Sequence, residues 1–489
     1  MEAKRQKLVS IVGAGHVLDD TATLEAYAQD QSVAPPRRPW FVVRPSNAAQ
    51  VQALVVWANE TATPLVPVSS GAPHFHGDTV PSVPEAVVVD LSRMNAIRRL
   101  DTRNRIAVIE PGVTWAQLDA ALAAEGRRLA RPLQPRANKS VIASLLERQP
   151  TIIPRLQYNL PEPLRNCGVV WGTGEVAFTG EAGAGPADLE EQWKRGVAQV
   201  DPKGPLATDL LRLVTGAQGT MGIVVWASVR LDLKPVVHEY AFVPGESLLE
   251  LTEFAYRLLR TRLGDEVALF NATQLAQLLG RDAAQIEALK SSLPSWVVVV
   301  GLGGSALFPD ERVRVQRRDL EALAKERRLR LLSGLAGVSH ADFVRVFEGV
   351  ADGAPWKLRA KGAAQEIFFL TTLDRVQGFI DTALGAAEAW RYPVGDLGIY
   401  IQPQHQGVAQ HVEFTFPYDP ACARETERVK ALHADLGAKL IAQGAYFSRP
   451  YGPWAEPVYA RDANARRVLT VVKNIVDPKN VLNPGKLCF

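Results

Sequence analysis

The chain has 489 residues, more than one simple core accommodates, so two or three compact units are expected. Its 55 basic and 52 acidic residues leave a net charge of +3, which argues against a nucleic-acid footprint. The three cysteines, Cys167, Cys422 and Cys488, form no C-x-x-C pair, so no zinc or iron–sulfur site is readable, and Cys167 beside Val169 and Val170 reads as a buried, inert thiol. No run of 18 apolar residues occurs, so no membrane span is expected. The first ten residues lack a long apolar region, which makes the cytoplasm the expected compartment.

In chain order, residues 1–35 read as a helical or irregular lead-in ending at Pro35-Pro36. Phe41-Val-Val-Arg44 reads as a strand, and Ser46 is placed as the cap of a helix reaching about Glu60, with Val51, Leu54, Val55 and Ala58 on one stripe. Strands follow at Pro64–Val68, Ala86–Leu91 and Arg105–Glu110, then a helix from Trp115 to Glu125 ended by Gly126. Residues 126–235 are more irregular. They hold a hairpin turning at Gly172–Gly174 and a helix-like run, glycine turn and strand from Leu210 to Val225. Pro235 marks a boundary, and residues 236–445 carry helix-plus-strand groups typified by Ser295–Leu302 and Glu366–Leu370. Residues 446–489 close with a loop, a helix at about Asp462 to Ile475 and a Pro-Gly tail.

Two loops are candidates for holding a cofactor. Pro67–Pro81 joins two strands and is rich in small residues, so its backbone N–H groups can face a phosphate, with the Ser69 and Ser70 hydroxyls beside them. Read alone, it is a weak signal that a plain surface turn also gives, and it lacks the G-x-G-x-x-G of a dinucleotide fold. Val214–Val224 has three glycines in seven residues, at Gly216, Gly219 and Gly222, which imply close backbone contact with a ligand or simply tight helix–strand packing.

A series of segments in fixed order adds to this reading. It comprises Arg44-Pro-Ser-Asn-Ala-Ala-Gln-Val51, the loop Pro67–Pro81, Asp90-Leu-Ser-Arg-Met-Asn95, and Glu110-Pro-Gly-Val-Thr-Trp115. It continues with Gly174-Glu-Val-Ala-Phe-Thr-Gly180, Gly216-Ala-Gln-Gly-Thr-Met-Gly-Ile-Val224 and Asp477-Pro-Lys-Asn-Val-Leu-Asn-Pro-Gly-Lys486. This series resembles the vanillyl-alcohol oxidase and p-cresol methylhydroxylase superfamily of FAD enzymes from Pro45 to Lys486. The resemblance implies an α+β fold: a two-part PCMH-type FAD-binding domain over residues 36–235, an α+β cap domain with an antiparallel sheet over 236–445, and a return to the FAD domain over 446–489. It implies FAD held by Ser69, Ser70, Gly71, Ala72, His74, Phe75, His76, Pro132, Ser140, Ser144, Gly219, Thr220, Gly222, Ile223, Asn483 and Lys486. Two departures stand out. The family's glycine run is Val68-Ser-Ser-Gly71 here, with Pro73 removing a donor, and its later Gly-Gly is replaced around Ser140–Ser144. Ser69, Ser70, Ser140 and Ser144 are therefore expected to supply hydroxyls where backbone contacts are missing.

The substrate face is read from Gly398–Phe416. If its two alternating runs pair as a hairpin, Tyr400, Gln402, His411 and Glu413 share one face, and His411 or Glu413 is placed to act as base while hydride goes to flavin. The competing reading is a solvated sheet face. Ala445–Gly452 resembles the superfamily's Gly-x-Tyr-Arg segment, which implies Arg449 as an anion clamp with Tyr446 and Tyr451 beside it. Gln404–His411 lacks the acidic residues of the hydroxy-acid dehydrogenases' metal motif, and His74-Phe-His76 has no third ligand in view, so no metal is expected; His76 is also a candidate point of covalent flavin attachment. The expected function is an FAD-dependent dehydrogenase or oxidase acting on an alcohol or alkylphenol-like substrate, with electrons passed to a separate acceptor. The alternatives are a 2-hydroxy-acid dehydrogenase subunit serving a partner electron carrier, and a flavin-binding subunit without its own turnover. A homodimer or hetero-complex with an electron-acceptor protein subunit is compatible with each.

Overall fold

The computed structural model describes residues 1–489 except 156–161, 187, 197–203 and 352. Three main sheets carry the fold. In the first, Phe41–Val43, Val87–Asp90 and Leu65–Val68 run parallel, and Val17–Leu18 from the lead-in adds an antiparallel edge. Parallel neighbours need a crossover, and helix Ala48–Thr61 supplies it, burying Val51, Leu54, Val55 and Ala58 as their spacing predicts. Its cap is Asn47 rather than Ser46. The Asn47 side chain accepts from the Gln50 N–H at 3.0 Å, while the Ser46 N–H donates to the Gln50 side chain at 2.8 Å, so two polar residues share the helix start one position apart.

The second sheet is antiparallel, in the order Ile97–Asp101, Ile106–Ile109, Gly222–Arg230, Leu164–Trp171 and Val176–Phe178. The Gly172–Gly174 hairpin is present, with Gly168 opposite Phe178. Ile97–Asp101 escapes sequence reading because this edge strand, Ile-Arg-Arg-Leu-Asp, is only half-buried and shows little apolar alternation.

The third sheet has six antiparallel strands: Val237–Gly245, Trp296–Gly304, Glu266–Asn271, Gly398–Gln404, Ala409–Tyr418 and Ala363–Thr371. Helices Leu248–Arg260, Val376–Ala389 and Ala423–Gln443 pack on one face of it. Leu251, Phe254 and Leu258 of the first of these meet Ile399, Ile401, Val412 and Phe414 of the strands in one core. Each such side chain contributes roughly 1.5–3 kcal/mol by leaving water. The alternate residues of the same strands face the other way, toward the loops of the first two sheets. The C-terminal tail returns to the first sheet, where Leu482 bridges Leu65. Cys167 is fully buried, and burial pushes its thiol far up, in keeping with an inert role.

Candidate active site

One cavity, about 240 Å³, lies between the loops of the first two sheets and the buried polar face of the third. On the loop side it is lined by Ser69, Ser70, His74, Phe75 and His76 from the first candidate loop. Gly219, Gly222 and Ile223 come from the second, and Pro132 and Gln134 from the segment before helix Val141–Leu146. The two loops touch. Gly219 has a φ of +71°, and a Cβ there would sit 2.5 Å from the Pro67 ring, so no side chain fits between them. The C-terminal tail fastens this joint. Asn483 donates to Asp78 O at 2.8 Å and Gln218 O at 2.7 Å, and Lys486 donates to Gly77 O at 2.6 Å. Behind them Lys473 reaches Thr220 O at 2.5 Å and Leu482 O at 3.2 Å, with its charge met by Asp477.

Other candidates for the cofactor face away from the cavity. The Ser140 hydroxyl donates to Pro111 O at 2.6 Å and caps its own helix by accepting from Ala143 N–H at 3.0 Å. The Ser144 hydroxyl donates to Ser140 O at 3.1 Å and accepts from the Trp115 indole at 2.9 Å. Both serines are fully buried and occupied by the helix they sit on, so they do not present hydroxyls to a phosphate. Gly71 N–H donates to Asn138 O at 3.0 Å, Ala72 O accepts from the Asn138 side chain at 2.8 Å, and Thr220 Oγ1 donates to Ala217 O at 2.7 Å. Gly71, Ala72, Thr220, Asn483 and Lys486 thus shape the loops from outside the lining.

The sheet side of the cavity follows the hairpin register. Tyr400 lies opposite Glu413, Gln402 opposite His411, and, on the next strand, Phe368 opposite Glu413 and Leu370 opposite His411. Tyr400, Gln402, His411 and Glu413 do share a face, but it is buried rather than solvated: His411 is 1% exposed and Glu413 7%. Glu413 Oε1 accepts from Lys357 Nζ at 2.6 Å, and Lys357 also contacts Glu366. Burial pushes the Glu413 carboxyl up, but Lys357 beside it outweighs this and holds it well below the usual carboxylate range. Burial lowers His411 to about 4 against the pull of Glu413, whose Oε2 lies 3.5 Å from its Nε2. Tyr400 spends its hydroxyl on Gln402 Oε1 at 2.7 Å. His411 itself is not part of the lining; the Phe368 ring, 6.0 Å from its own, stands on the cavity side.

Arg449 enters the cavity from the C-terminal segment, with its guanidinium 4.1 Å from the centre of the Phe368 ring. Tyr451 stacks on His76 at 4.5 Å. Tyr446 stays outside. Its backbone pairs with Leu370 at 2.9 and 3.1 Å, and its side chain is 61% exposed. Sequence reading passed over Lys357, Glu366, Phe368, Glu147 and Gln134. Glu366 and Phe368 carried a usable signal, being alternate residues of a strand whose other face is apolar. Lys357 sits in a loop with no pattern around it.

The lining suits a large, partly anionic, partly flat ligand. Arg136 and Lys139 bring positive charge to the loop side. Gln134 is buried, its backbone is in the left-handed region at φ +38°, and its side-chain oxygen has no hydrogen-bond partner among the described residues, so a donor from a ligand is the natural complement. Among the described residues no group of three or more His, Cys, Asp or Glu could hold a metal, and no helix is long and apolar enough to cross a membrane.

Residues 39–145 match the family model of an FAD binding domain. A glycolate oxidase subunit of Bacillus subtilis is 23% identical over 99% of this chain and 96% of its own length. A D-2-hydroxyglutarate dehydrogenase of Stutzerimonas stutzeri is 34% identical over 47% of this chain and 45% of its own. The crystal structure of p-cresol methylhydroxylase with substrate bound superposes with a TM-score of 0.85 at 19% identity, covering 100% of this chain and 96% of that one. With the FAD-binding segment lining the cavity, the chain is an FAD-linked oxidoreductase that takes FAD as its cofactor and shares the fold of p-cresol methylhydroxylase.

Proposed function

We propose that the chain removes hydride from an alcohol or alkylphenol-like substrate and passes the electrons to a separate acceptor. The observation that carries this reading is the pairing of Arg449 with the Phe368 ring at 4.1 Å, inside a cavity shared with the FAD-binding loops. Aromatic walls at Phe368, Tyr451 and Trp356 suit a flat body, and the two-pronged guanidinium of Arg449 suits an oxygen that becomes anionic as its proton leaves. The solved neighbour named for p-cresol, a methylphenol, supports the same class.

FAD, when bound, accepts the hydride. Ser69, Ser70, His74, Phe75, Pro132, Gly219, Gly222 and Ile223 are the residues that would hold it, with Gln134 and Arg136 beside them. The chain's own part is then to exclude water, orient the substrate and take its hydroxyl proton. Phe368 and Tyr451 wall the site, Arg449 fixes the oxygen, and Lys357 keeps Glu413 ionised so that the face stays polar without a free acid.

A second reading, a 2-hydroxy-acid dehydrogenase, is favoured by the two relatives named for 2-hydroxyglutarate and glycolate, because a guanidinium grips a carboxylate as readily as a phenolate. Anaerobic titration of the FAD-loaded protein separates the readings. Bleaching of the flavin by 4-alkylphenols or benzylic alcohols is the expected result. Bleaching by 2-hydroxy acids alone selects the second reading, and no bleaching by either class leaves a flavin-binding subunit without turnover of its own.

A further inference from the structure

We propose that His76 is the base that takes the substrate's hydroxyl proton, at the centre of a buried row of ionisable side chains that joins the FAD-binding loops to the substrate face. The proposal rests on the reading of the cavity as the site of hydride removal from a hydroxyl-bearing substrate.

The row can be followed side chain by side chain. Lys139 Nζ lies 2.7 Å from Glu147 Oε2. The same Glu147 oxygen lies 3.9 Å from His76 Nδ1, and His76 Nε2 lies 3.8 Å from Glu366 Oε1. Glu366 contacts Lys357, which binds Glu413 at 2.6 Å, and Glu413 lies 3.5 Å from His411. Two ammonium groups face three carboxylates, with two imidazoles between. The Arg449 guanidinium faces His76 from beside the row and adds a third cation to the two ammonium groups.

Three observations choose His76 as the place for the substrate's proton. It lines the cavity, whereas His411 lies behind Phe368. It has a carboxylate on either side, one from the loop side and one from the sheet, so both ring nitrogens of an imidazolium find an acceptor. Glu413, the other candidate base, is already committed to Lys357. The groups facing His76 from every packed element are Glu147 and Lys139 beside helix Val141–Leu146, Glu366 and Phe368 on the strand Ala363–Thr371, and Arg449 and Tyr451 on the C-terminal segment. Burial lowers its pKa to about 4, with Lys139 and Arg449 adding to that and the two carboxylates opposing it, so the ring is neutral and able to accept before substrate arrives. At 3.8 and 3.9 Å its carboxylate contacts are longer than hydrogen bonds, and protonation draws them in. Tyr451, stacked at 4.5 Å, fixes the plane of the ring.

In the step itself the substrate O–H bond breaks and its proton forms an N–H bond on His76. The electron pair left on oxygen forms the carbonyl bond, or for a 4-alkylphenol the quinone-methide system, as the C–H bond gives its hydride to the oxidised flavin. The oxyanion that develops sits against Arg449, and the proton it loses sits between Glu147 and Glu366.

The test uses the FAD-loaded protein and 4-nitrophenol, a phenol with no hydride to give and with an absorbance that reports its ionisation. Wild-type protein is expected to bind it as the anion at a pH below that at which the free phenol ionises, without releasing a proton to the buffer. His76→Gln and His76→Asn are expected to bind it neutral, or to release the proton, with affinity down by about tenfold. Single-turnover flavin reduction in these variants should fall by roughly 100- to 10,000-fold, the usual contribution of a positioned base. Glu366→Gln, which keeps the ring and removes one partner, should show a smaller slowing and a shifted pH profile. Circular dichroism and flavin content identify a variant that has merely failed to fold, and the other two then carry the test. The proposal is overturned if His76→Gln ionises the probe as the wild type does and reduces its flavin within threefold of the wild-type rate. It is equally overturned if wild-type flavin stays attached after acid denaturation and is released in His76→Gln, since the ring is then spent on a covalent bond. If no hydroxyl-bearing compound bleaches the wild-type flavin, the functional reading fails first and the assignment goes with it.

Discussion

Removing the positive charge of Lys357 should cost the protein stability in a way that depends on pH. Among the described residues, Lys357 is the only ammonium between Glu366 and Glu413, whose side chains are 11% and 10% exposed. Taking away one member of a buried pair leaves an uncompensated charge, at a cost of about 3–5 kcal/mol. Unfolding entropy near 2.1 cal/mol/K per residue amounts to about 1 kcal/mol/K for the whole chain, so Lys357→Met should lower Tm by about 3–5 °C if the protein melts as one unit. If the roughly 210 residues of the six-stranded sheet and its helices melt separately, the same energy lowers that transition by about 7–11 °C. In the wild type, Lys357 keeps Glu413 below the ordinary carboxylate range, so that contribution is present above the unfolded value of about 4.3 and is lost as pH falls through the lower folded value. In Lys357→Met the orphaned carboxylates shift upward instead and take up protons on acidification. The gap in Tm between the two proteins should therefore be widest near pH 7 and narrow toward pH 5. Adding Glu413→Gln to Lys357→Met should recover more than half of it. Thermal melts followed by circular dichroism between pH 5 and 8 supply the measurement. A gap below about 1 °C, or one that stays constant across that range, would refute the reasoning that these two carboxylates share a single buried counter-charge.

Three further outcomes follow from other contacts. His238 lies 2.9 Å from Glu266 through Nε2, and its Nδ1 is 2.9 Å from Glu348 though off the line of a hydrogen bond; against its burial these carboxylates raise it to about 9. A raised histidine stabilises fully below its unfolded value of about 6.5 and loses that contribution as pH climbs to 9, so wild-type Tm should fall across pH 6.5–9 by the equivalent of roughly 3 kcal/mol, and His238→Gln should show no such fall. Arg449→Ala should weaken capture of an anionic or ionising substrate by about 10- to 150-fold, the worth of a charge-assisted hydrogen bond, read as a rise in the half-saturating concentration for flavin reduction. Gly219→Ala places a Cβ 2.5 Å from the Pro67 ring at a φ of +71°, and should cost about 2 kcal/mol and lower the flavin retained per chain after gel filtration.

What sequence made legible here is what a local pattern can express. The crossover helix Ala48–Thr61, the hairpin at Gly172–Gly174 and the Gly398–Tyr418 pair all show period or punctuation within twenty residues, and the hairpin register placed Tyr400, Gln402, His411 and Glu413 on one face before any coordinates. The same pattern could not say that this face is covered. A polar alternation on a strand has the same form whether it meets water or a second wall, and that wall comes from residues 67–79, 132–150 and 449–451, far away in the chain. Ser140 and Ser144 show the converse failure. Their residue type is right for a phosphate, but the helix start they occupy claims both hydroxyls, one as cap and one as partner of Trp115. The ionisable row is the extreme case. Its members stand at 76, 139, 147, 357, 366, 411 and 413, so no window contains more than two or three of them, and each alone reads as an ordinary surface charge. Only burial makes them a set, since a buried carboxylate must find a cation and Lys357 can serve two at once. That also locates the functional question. Whatever binds beside His76 meets Arg449, Glu147, Glu366 and Lys139 together, so the charge it brings is felt by the whole set rather than by one partner.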